Sequence, residues 1–294
     1  MNSAINQLDN THSNRRERLF PLIWSLLLPI RLYLSSFPVQ RGKGILLRHV
    51  VTPLLPPPGA EFELRLPGEV RIALRYRETL GLSSLLYGTF ELAELEFARS
   101  RLRPGDDAMD IGANVGIFSV VMGAAVGRSG RVFAFEPAPG NIVRLKKNLE
   151  RNGLDHAQLF PCALGEADGQ MTLHLATDPA YPSLLEVQSG LADGTSVSVP
   201  VRRLDAVWEE AGRPRIGFVK MDVEGAEAAV IRGATGLLGT CHPTMLIEAN
   251  SAEQLEILRD LLAPFAYQVE QPAGFAPHNF VFYHPQSADS REPV

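Results

Sequence analysis

Three short segments of the sequence combine acidic residues with glycine in patterns that could do chemistry. The first is Asp110-Ile-Gly-Ala-Asn-Val-Gly116, in which Gly112, Asn114 and Gly116 suit a tight turn with left-handed backbone angles. A pyrophosphate loop prefers the spacing G-x-G-x-x-G, whereas this segment has G-x-N-x-G after an acid. The carboxylate of Asp110 suits a cationic ligand with an amino or sulfonium group. The alternative is a tight turn that binds nothing.

The second segment centres on Glu136, which directly follows the apolar run at 132–135 and lies twenty residues beyond Gly116. A carboxylate at the end of a strand can accept hydrogen bonds from both ribose hydroxyls of an adenosine. The alternative is a surface glutamate ahead of Pro137. The spacing from the first segment favours ribose binding.

The third segment is Lys220-Met-Asp-Val-Glu-Gly-Ala-Glu227. If strand alternation continues along it, Lys220, Asp222 and Glu224 share one face. Three charges on one face inside an α/β core are costly unless they line a site. The alternative is a solvated loop with acids at a helix start, which explains Glu227 but not the pairing of Lys220 with Asp222.

The elements that must position these segments alternate between strand and helix from residue 107 onward. Apolar runs predict strands at 108–111, 131–135, 157–161, 216–221, 244–248, 267–270 and 279–283, with helices at 117–125, 141–152, 226–237 and 252–263. This order predicts an α/β fold with a mostly parallel, doubly wound sheet. Ligands of such sheets bind beyond the carboxyl ends of the strands. The chemistry is therefore expected in loops at 110–116, 136–141, 222–225 and 248–250.

The chain is predicted to have four parts. They are a basic, partly disordered head with an apolar segment at 1–50, an N-terminal hairpin and helix extension at 51–105, the main α/β domain at 106–286 and a tail at 287–294. Within the extension, alternating residues predict a hairpin of strands 62–66 and 70–76 turned at 67–69, followed by a helix at 87–99.

Composition narrows the classes of protein. The chain has 294 residues, of which 45% are hydrophobic, and a net charge of −5, which excludes a disordered chain, a collagen-like repeat and a strongly basic nucleic-acid binder. The head holds seven basic and two acidic residues and so carries +5, while the remaining residues carry −10. The only two cysteines, Cys162 and Cys241, lie too far apart in sequence for a metal ribbon and predict reduced thiols of a cytoplasmic protein.

The apolar stretch at 19–34 has two interpretations. One is peripheral contact with a membrane through residues 15–37, with Trp24 and Tyr33 as interfacial anchors and arginines facing anionic lipid. The other is a short helix that covers an apolar patch of the main domain or of a partner subunit. Arg31 within the stretch argues against a helix that spans a bilayer.

Taken together, the motifs resemble the FkbM family of S-adenosylmethionine-dependent methyltransferases. The resemblance covers roughly residues 87–283 and is carried by 110–119, 135–139 with Asn141, Asn148, Asn152 and Gly153, and 219–227. It implies a class I, Rossmann-like fold and methyl transfer from S-adenosylmethionine, usually to an oxygen of a sugar, glycolipid or natural product.

The resemblance and the residues together assign roles. The expected donor-binding residues are Asp110, Gly112, Asn114, Gly116 and Glu136, and the resemblance adds Glu91 near the methionine part of the donor. Asp222 or Glu224 is the first candidate for a general base, and His278 is the second. Lys220 and Glu248 are expected on the acceptor side, with Glu248 binding acceptor hydroxyls or orienting Lys220. No spacing of His and Asp compels a metal ion.

Two other functions compete with methyl transfer. One is an NAD(P)-dependent oxidoreductase, against which the missing G-x-G-x-x-G and the missing Tyr-x-x-x-Lys pair count. The other is a non-catalytic, membrane-associated binding module on a methyltransferase-like scaffold. The intact charges at 220–227 argue against such a module.

Overall fold

A computed structural model of the chain describes residues 20, 25, 46–87, 91–176 and 192–285. The polar start of the head, the predicted anchors Trp24 and Tyr33, and the tail at 287–294 lie outside the described residues. The chain divides into two compact units. The described residues of the first include 46–64 and 73–87, and those of the second are 65–72, 91–175 and 194–285.

The first unit has a small apolar core. Its described helical elements include a π-helical turn, Leu47–Val51, that continues into the helical turn Thr52–Leu54, and helix α1, Thr79–Tyr87. Phe20, from the apolar stretch of the head, is only 3% exposed in this core. Its ring meets the edge of Tyr76 at a centroid distance of 4.8 Å.

The predicted hairpin is confirmed. Strand β1 is Glu61–Arg65 and strand β2 is Arg71–Arg75, and they form a two-stranded sheet. The turn uses left-handed angles at Gly68 and Glu69. Its tip, residues 65–72, belongs to the second unit.

The helix predicted at 87–99 is present, but it begins later than expected, at Leu92. Helix α1 ends at Tyr87, and helix α2, Leu92–Arg101, begins separately. Glu91 stands between them with a left-handed φ of 52°, which no helix can continue through. The apolar spacing across this segment is helical, but it does not reveal the break at Glu91.

The second unit is built on a seven-stranded sheet in the order β11-β12-β10-β9-β3-β4-β5. The strands are β3 Asp107–Ile111, β4 Arg131–Phe135, β5 Ala157–Phe160, β9 Ile216–Met221, β10 Thr244–Glu248, β11 Gln268–Glu270 and β12 Asn279–Tyr283. Neighbours from β5 to β10 are parallel, while β12 runs antiparallel to both β10 and β11. The predicted α/β fold with a mostly parallel sheet is confirmed.

Helices complete the predicted alternation. They are α2, α3 Ile117–Val126, α4 Pro139–Arg151, α5 Leu204–Glu210, α6 Glu227–Arg232, α7 Thr235–Cys241 and α8 Ala252–Leu262, with a 3-10 turn at Ala263–Phe265. The helix predicted at 226–237 is two helices. The carboxylate of Asp205 accepts the backbone N–H groups of Gly236 at 2.8 Å and Leu237 at 2.9 Å, so a new helix starts there.

A second, three-stranded sheet lies in the sequence between β5 and β9 and was not predicted. Its order is β6-β8-β7, with β6 Ala163–Gly165, β7 Gly169–Ala176 and β8 Ala192–Arg203. Residues 177–191, between β7 and β8, are outside the described part.

The core of the second unit surrounds the strands that carry the predicted motifs. Met109, Phe133, Phe218 and Ile247 are completely buried, as expected for strands covered on both faces. The carboxyl ends of β3, β4, β9 and β10 therefore open at one edge of a rigid sheet. Within the described ranges, no helix is long and apolar enough to cross a membrane.

Candidate active site

The first loop, residues 110–116, begins with a buried carboxylate. Asp110 is 1% exposed and its Oδ2 accepts the Ser119 hydroxyl at 2.5 Å. Its Oδ1 is buried and has no hydrogen-bond partner among the described residues. Burial raises the pKa of Asp110, although Lys220 and Ser119 oppose that change. A buried carboxylate oxygen without a donor fits a ligand that brings one.

The backbone of the first loop has the predicted left-handed angles. φ is +81° at Gly112, +50° at Asn114 and +95° at Gly116. A Cβ atom at Gly112 would lie 1.8 Å from the carbonyl oxygen of Asp222, so only glycine fits there. The loop is thus pressed directly against the segment that follows β9.

Glu136, directly after β4, is hydrogen-bonded to the first loop. Its Oε2 accepts the backbone N–H of Asn114 at 2.8 Å, and its Oε1 accepts the N–H of Ala138 at 2.8 Å and the Asn141 amide at 3.3 Å. Burial raises the pKa of Glu136, while these hydrogen bonds lower it. A carboxylate has about four acceptor positions. Glu136 therefore shapes the loop and keeps acceptor capacity for a ligand hydroxyl.

Beyond β9, the predicted shared face holds for two of the three charges. The Nζ atom of Lys220 lies 3.0 Å from Oδ2 of Asp222. Strand β9 ends at Met221, however, and Glu224 has a left-handed φ of 53° and an exposed side chain. The strand alternation that would place Glu224 on the same face does not continue beyond Met221. Glu224 therefore does not share the face of Lys220 and Asp222.

Lys220 is the cation at the centre of several carboxylates. It is 7% exposed, and in the register of β3 and β9 it stands beside Asp110. Burial alone would lower the pKa of Lys220, but the carboxylates of Asp222, Asp110 and Glu91 outweigh burial and raise it. Lys220 is therefore charged and joins the first loop to the segment beyond β9.

Asp222, Glu248 and His278 form a hydrogen-bonded group with Lys220, which we call the acid cluster. Oε1 of Glu248, at the end of β10, lies 3.3 Å from Nε2 of His278, and the Glu248 and Asp222 carboxyl groups are hydrogen-bonded to each other. Burial and this bond raise the pKa of Glu248 to about 9. Burial also favours protonation of Asp222, but Lys220 and the bond from Glu248 lower the pKa of Asp222 overall.

Glu91 is linked to the site by a hydrogen bond from Asn279, a residue that the sequence analysis did not identify. The side-chain amide of Asn279 donates to Oε1 of Glu91 at 2.9 Å and to Oε1 of Glu94 at 3.2 Å. Burial raises the pKa of Glu91, against the attraction of Lys220. Asn279 could have been found from the strand pattern, because it begins β12 and lies opposite Glu248 in the sheet.

Glu227 is a second residue whose role the sequence did not show. It is completely buried, and its Oε1 accepts the N–H groups of Val223 at 3.0 Å and Gly225 at 3.2 Å. Its Oε2 accepts the amide of Gln254 at 2.5 Å. The interpretation of Glu227 as an acid at a helix start was therefore incomplete, because it fixes the loop that presents Asp222 and Glu224.

The predicted residues meet at one edge of the sheet. Four neighbouring parallel strands carry them within one residue of their carboxyl ends: Asp110, Glu136, Lys220 and Glu248. In the part of the chain that the structure describes, no group of three or more His, Cys, Asp or Glu side chains is arranged to hold a metal ion. The two cysteines are free, with Cys162 buried and Cys241 partly buried.

A mostly parallel sheet with a glycine-containing loop after its first strand and acids at its carboxyl edge is the arrangement of a Rossmann-like fold. A model of the methyltransferase FkbM domain matches residues 110–269, more than half of the chain. The chain belongs to the FkbM methyltransferase family. It is therefore a methyltransferase with S-adenosylmethionine as methyl donor, and the oxidoreductase interpretation is set aside.

Several curated proteins are similar to the chain. Methyltransferase 1 of Beauveria bassiana is 27% identical over 60% of this chain and 78% of that protein. The 2-O-methyltransferase NoeI of Sinorhizobium fredii is 31% identical over 49% of this chain and 66% of that protein. The 31-O-demethyl-FK506 methyltransferase FkbM of Streptomyces tacrolimicus is 31% identical over 45% of this chain and 60% of that protein. The chain thus spans less than two thirds of the last two relatives.

Among solved structures, the methyltransferase FkbM from Methylobacillus flagellatus KT aligns with a TM-score of 0.44 at 20% identity. The alignment covers 69% of this chain and 52% of that chain.

Proposed function

We propose that the protein transfers a methyl group from S-adenosylmethionine to a hydroxyl oxygen of a sugar, glycolipid or natural product. The acid cluster is the observation that carries this proposal. It places a carboxyl group and an imidazole within 3.3 Å of each other at the same sheet edge as the first loop. An alcohol is a poor nucleophile until a base takes its proton, so a hydroxyl acceptor requires such a group nearby.

The names of relatives support an oxygen acceptor. NoeI is called a 2-O-methyltransferase, and FkbM of Streptomyces tacrolimicus is named for the 31-O position of its substrate. A hexuronic acid methyltransferase, AglP of Haloferax volcanii, is 27% identical over 45% of this chain. These proteins share no single acceptor, and the proposal therefore extends to the class of hydroxyl acceptors.

The first loop would hold the donor. The unpaired Oδ1 of Asp110 and the carboxylate of Glu91 suit the positively charged amino acid part of the donor, and Glu136 suits its ribose. Gly112, Asn114 and Gly116 let the backbone come close to it. When bound, S-adenosylmethionine supplies an electrophilic methyl group on a sulfonium.

The residues of the chain then position the acceptor and accept its proton. In-line displacement depends chiefly on holding the two reactants at near-attack distance. The acid cluster would supply the proton acceptor, and Glu224, which is exposed on the neighbouring loop, would bind acceptor hydroxyls. Lys220 balances the carboxylates so that the group stays ordered when charged.

Calorimetric titration with S-adenosylhomocysteine tests donor binding. We expect micromolar affinity for the wild type and at least a tenfold loss in Asp110→Asn, which keeps the shape of the side chain but removes its charge. Asp260→Asn, an exposed change on α8, is the matched control and should bind as the wild type does. Tighter binding of a nicotinamide dinucleotide than of S-adenosylhomocysteine would refute the proposal.

A further inference from the structure

The acid cluster contains one residue whose role differs from the predicted one. Glu248 was expected to bind the acceptor or to orient Lys220. In the structure, Lys220 is paired with Asp222, and Glu248 contacts Asp222 and His278 instead. Its side chain is 15% exposed, while that of His278 is 35% exposed. Glu248 therefore lies between a buried ion pair and an imidazole that solvent or an acceptor can reach.

We propose that Glu248 holds the proton shared with Asp222 and thereby orients His278, with its Nε2–H toward Glu248 and its Nδ1 left to take the acceptor's hydroxyl proton. This inference rests on the proposed O-methyl transfer. Glu248 is a positioning residue in it, and His278 is the base. The sequence had ranked Asp222 or Glu224 ahead of His278 for that role.

The geometry favours His278 over Asp222 as the base. Asp222 accepts the ammonium of Lys220 at 3.0 Å and the proton of Glu248, so its oxygens are already engaged. The same contacts lower the pKa of Asp222, which makes its carboxylate a weaker base. Nε2 of His278 contacts Glu248, and a bond at one ring nitrogen sets which nitrogen carries the proton.

The backbone also holds His278 in place. Its carbonyl oxygen accepts the N–H of Ala249 at 2.7 Å, directly after Glu248 in the chain. The next residue, Asn279, pairs with Glu248 in the sheet and donates to Glu91. The backbone of His278 is therefore held in the turn that directly precedes strand β12.

The charges around the cluster come from several elements. Glu248 is influenced by Asp222, by Glu224 on the loop after β9 and by Lys220 on β9. Lys220 in turn faces Asp110 on β3 and Glu91 before α2. Lys220 cannot neutralise all of these carboxylates. A proton on the Asp222–Glu248 pair therefore reduces the repulsion between the two side chains.

In the proposed step, the acceptor oxygen loses a proton and gains the methyl group. The O–H bond of the acceptor breaks and its proton passes to Nδ1 of His278. The oxygen electron pair forms the new O–C bond, while the electron pair of the breaking S–CH3 bond remains on sulfur. The proton leaves the exposed imidazole for solvent, and the cluster returns to its first state.

The first experiment needs no acceptor. In the intact, donor-free protein with ¹³C-labelled glutamate, the carboxyl resonance of Glu248 is assigned by its absence from Glu248→Gln. We expect that resonance to show a protonated carboxyl at neutral pH and to change only near pH 9. A Glu248 carboxyl that is ionised at neutral pH would overturn the proposal, whether or not the protein methylates a hydroxyl.

The second experiment compares variants in methyl transfer. His278→Gln should lower kcat by roughly 100-fold or more, as expected when a general base is removed. Glu248→Ala should lower kcat by about 100-fold, because the imidazole loses its orientation. Glu248→Gln, which can still donate to Asp222 and accept from His278, should recover most of that loss. Glu256→Gln on α8, which lies outside the site, is the control for glutamate replacement.

The outcomes separate the two proposals. If Glu248→Gln is as inactive as Glu248→Ala, an ionised Glu248 is required and the proton-holding role is wrong. If His278→Gln keeps full kcat, His278 is not the base. If no hydroxyl acceptor is methylated while Glu248 is protonated, the proposed function fails and the proton assignment stands.

Discussion

The first loop and the acid cluster lie at the same sheet edge but are built in different ways. The first loop owes its shape to the backbone, with left-handed angles at Gly112, Asn114 and Gly116. The acid cluster is built from side chains that share charge, with Lys220 and Asp222 3.0 Å apart. The loop that we propose for the donor is thus fixed by its backbone, whereas the order of the proposed acceptor region depends on the charges of its side chains.

Gly112→Ala is the strongest test of the backbone-built region. A Cβ atom would lie 1.8 Å from the carbonyl oxygen of Asp222, and alanine also disfavours a φ of +81°. We expect a loss of about 3 kcal/mol or more in the free energy of unfolding, from the left-handed angle and overpacking together. Chemical denaturation measures it. Gly140→Ala, with nothing within 4 Å of the added atom, should change stability little. Equal effects of both changes would contradict a rigid first loop.

Lys220→Met tests the charge-built region. Removing the ammonium leaves Asp222, Asp110 and Glu91 without their common cation. Breaking a buried ion pair costs about 3–5 kcal/mol, and we expect about 2–3 kcal/mol because the side chain of Asp222 is 33% exposed. Thermal or chemical unfolding measures the loss. The exposed Lys146→Met should shift stability by less than about 0.5 kcal/mol. A stable Lys220→Met protein would show that the cluster does not depend on this cation.

The smallest expected effect is the dependence of stability on pH. The pKa of Glu248 is raised from 4.5 to about 9 on folding, so its contribution to stability is complete below the unfolded value and is lost as pH rises toward 9. Between pH 6 and 7, the free energy of unfolding should fall by about 1.4 kcal/mol relative to Glu248→Gln, which does not titrate. Denaturation curves at both pH values measure this. The lowered pKa of Asp222 acts in the opposite sense, but only in acid. Parallel pH profiles for the two proteins would contradict a protonated Glu248.

The sequence predicted most of the sheet, for a clear physical reason. Strands buried on both faces are continuous apolar runs, and those at 131–135, 216–221, 244–248 and 279–283 have the predicted bounds. The β6-β8-β7 sheet was not predicted. The helix at 226–237 was predicted whole because its break depends on Asp205, which is distant in sequence.

The site shows the same division. The left-handed angles of the first loop follow from residue type at short range, and the sequence predicted them. The bond of Asn279 to Glu91 joins residues 188 positions apart, and no local pattern reports it. The proposed sharing of a proton by Glu248 and Asp222 depends on the burial of one residue at the end of β10 and one directly after β9. Sequence therefore predicted the candidate residues but not the long-range hydrogen bonds between them.

Transfer of an isotopically labelled methyl group from S-adenosylmethionine is the most direct test of the central claim. The intact protein would be incubated with labelled donor and with sugar, glycolipid and natural-product extracts, and the product examined by NMR and mass spectrometry. We predict a product one methylene heavier, with the label in a methyl ether, that is lost in Asp110→Asn. Label on nitrogen, carbon or sulfur, or donor binding without transfer to any hydroxyl, would contradict the proposed O-methyltransferase.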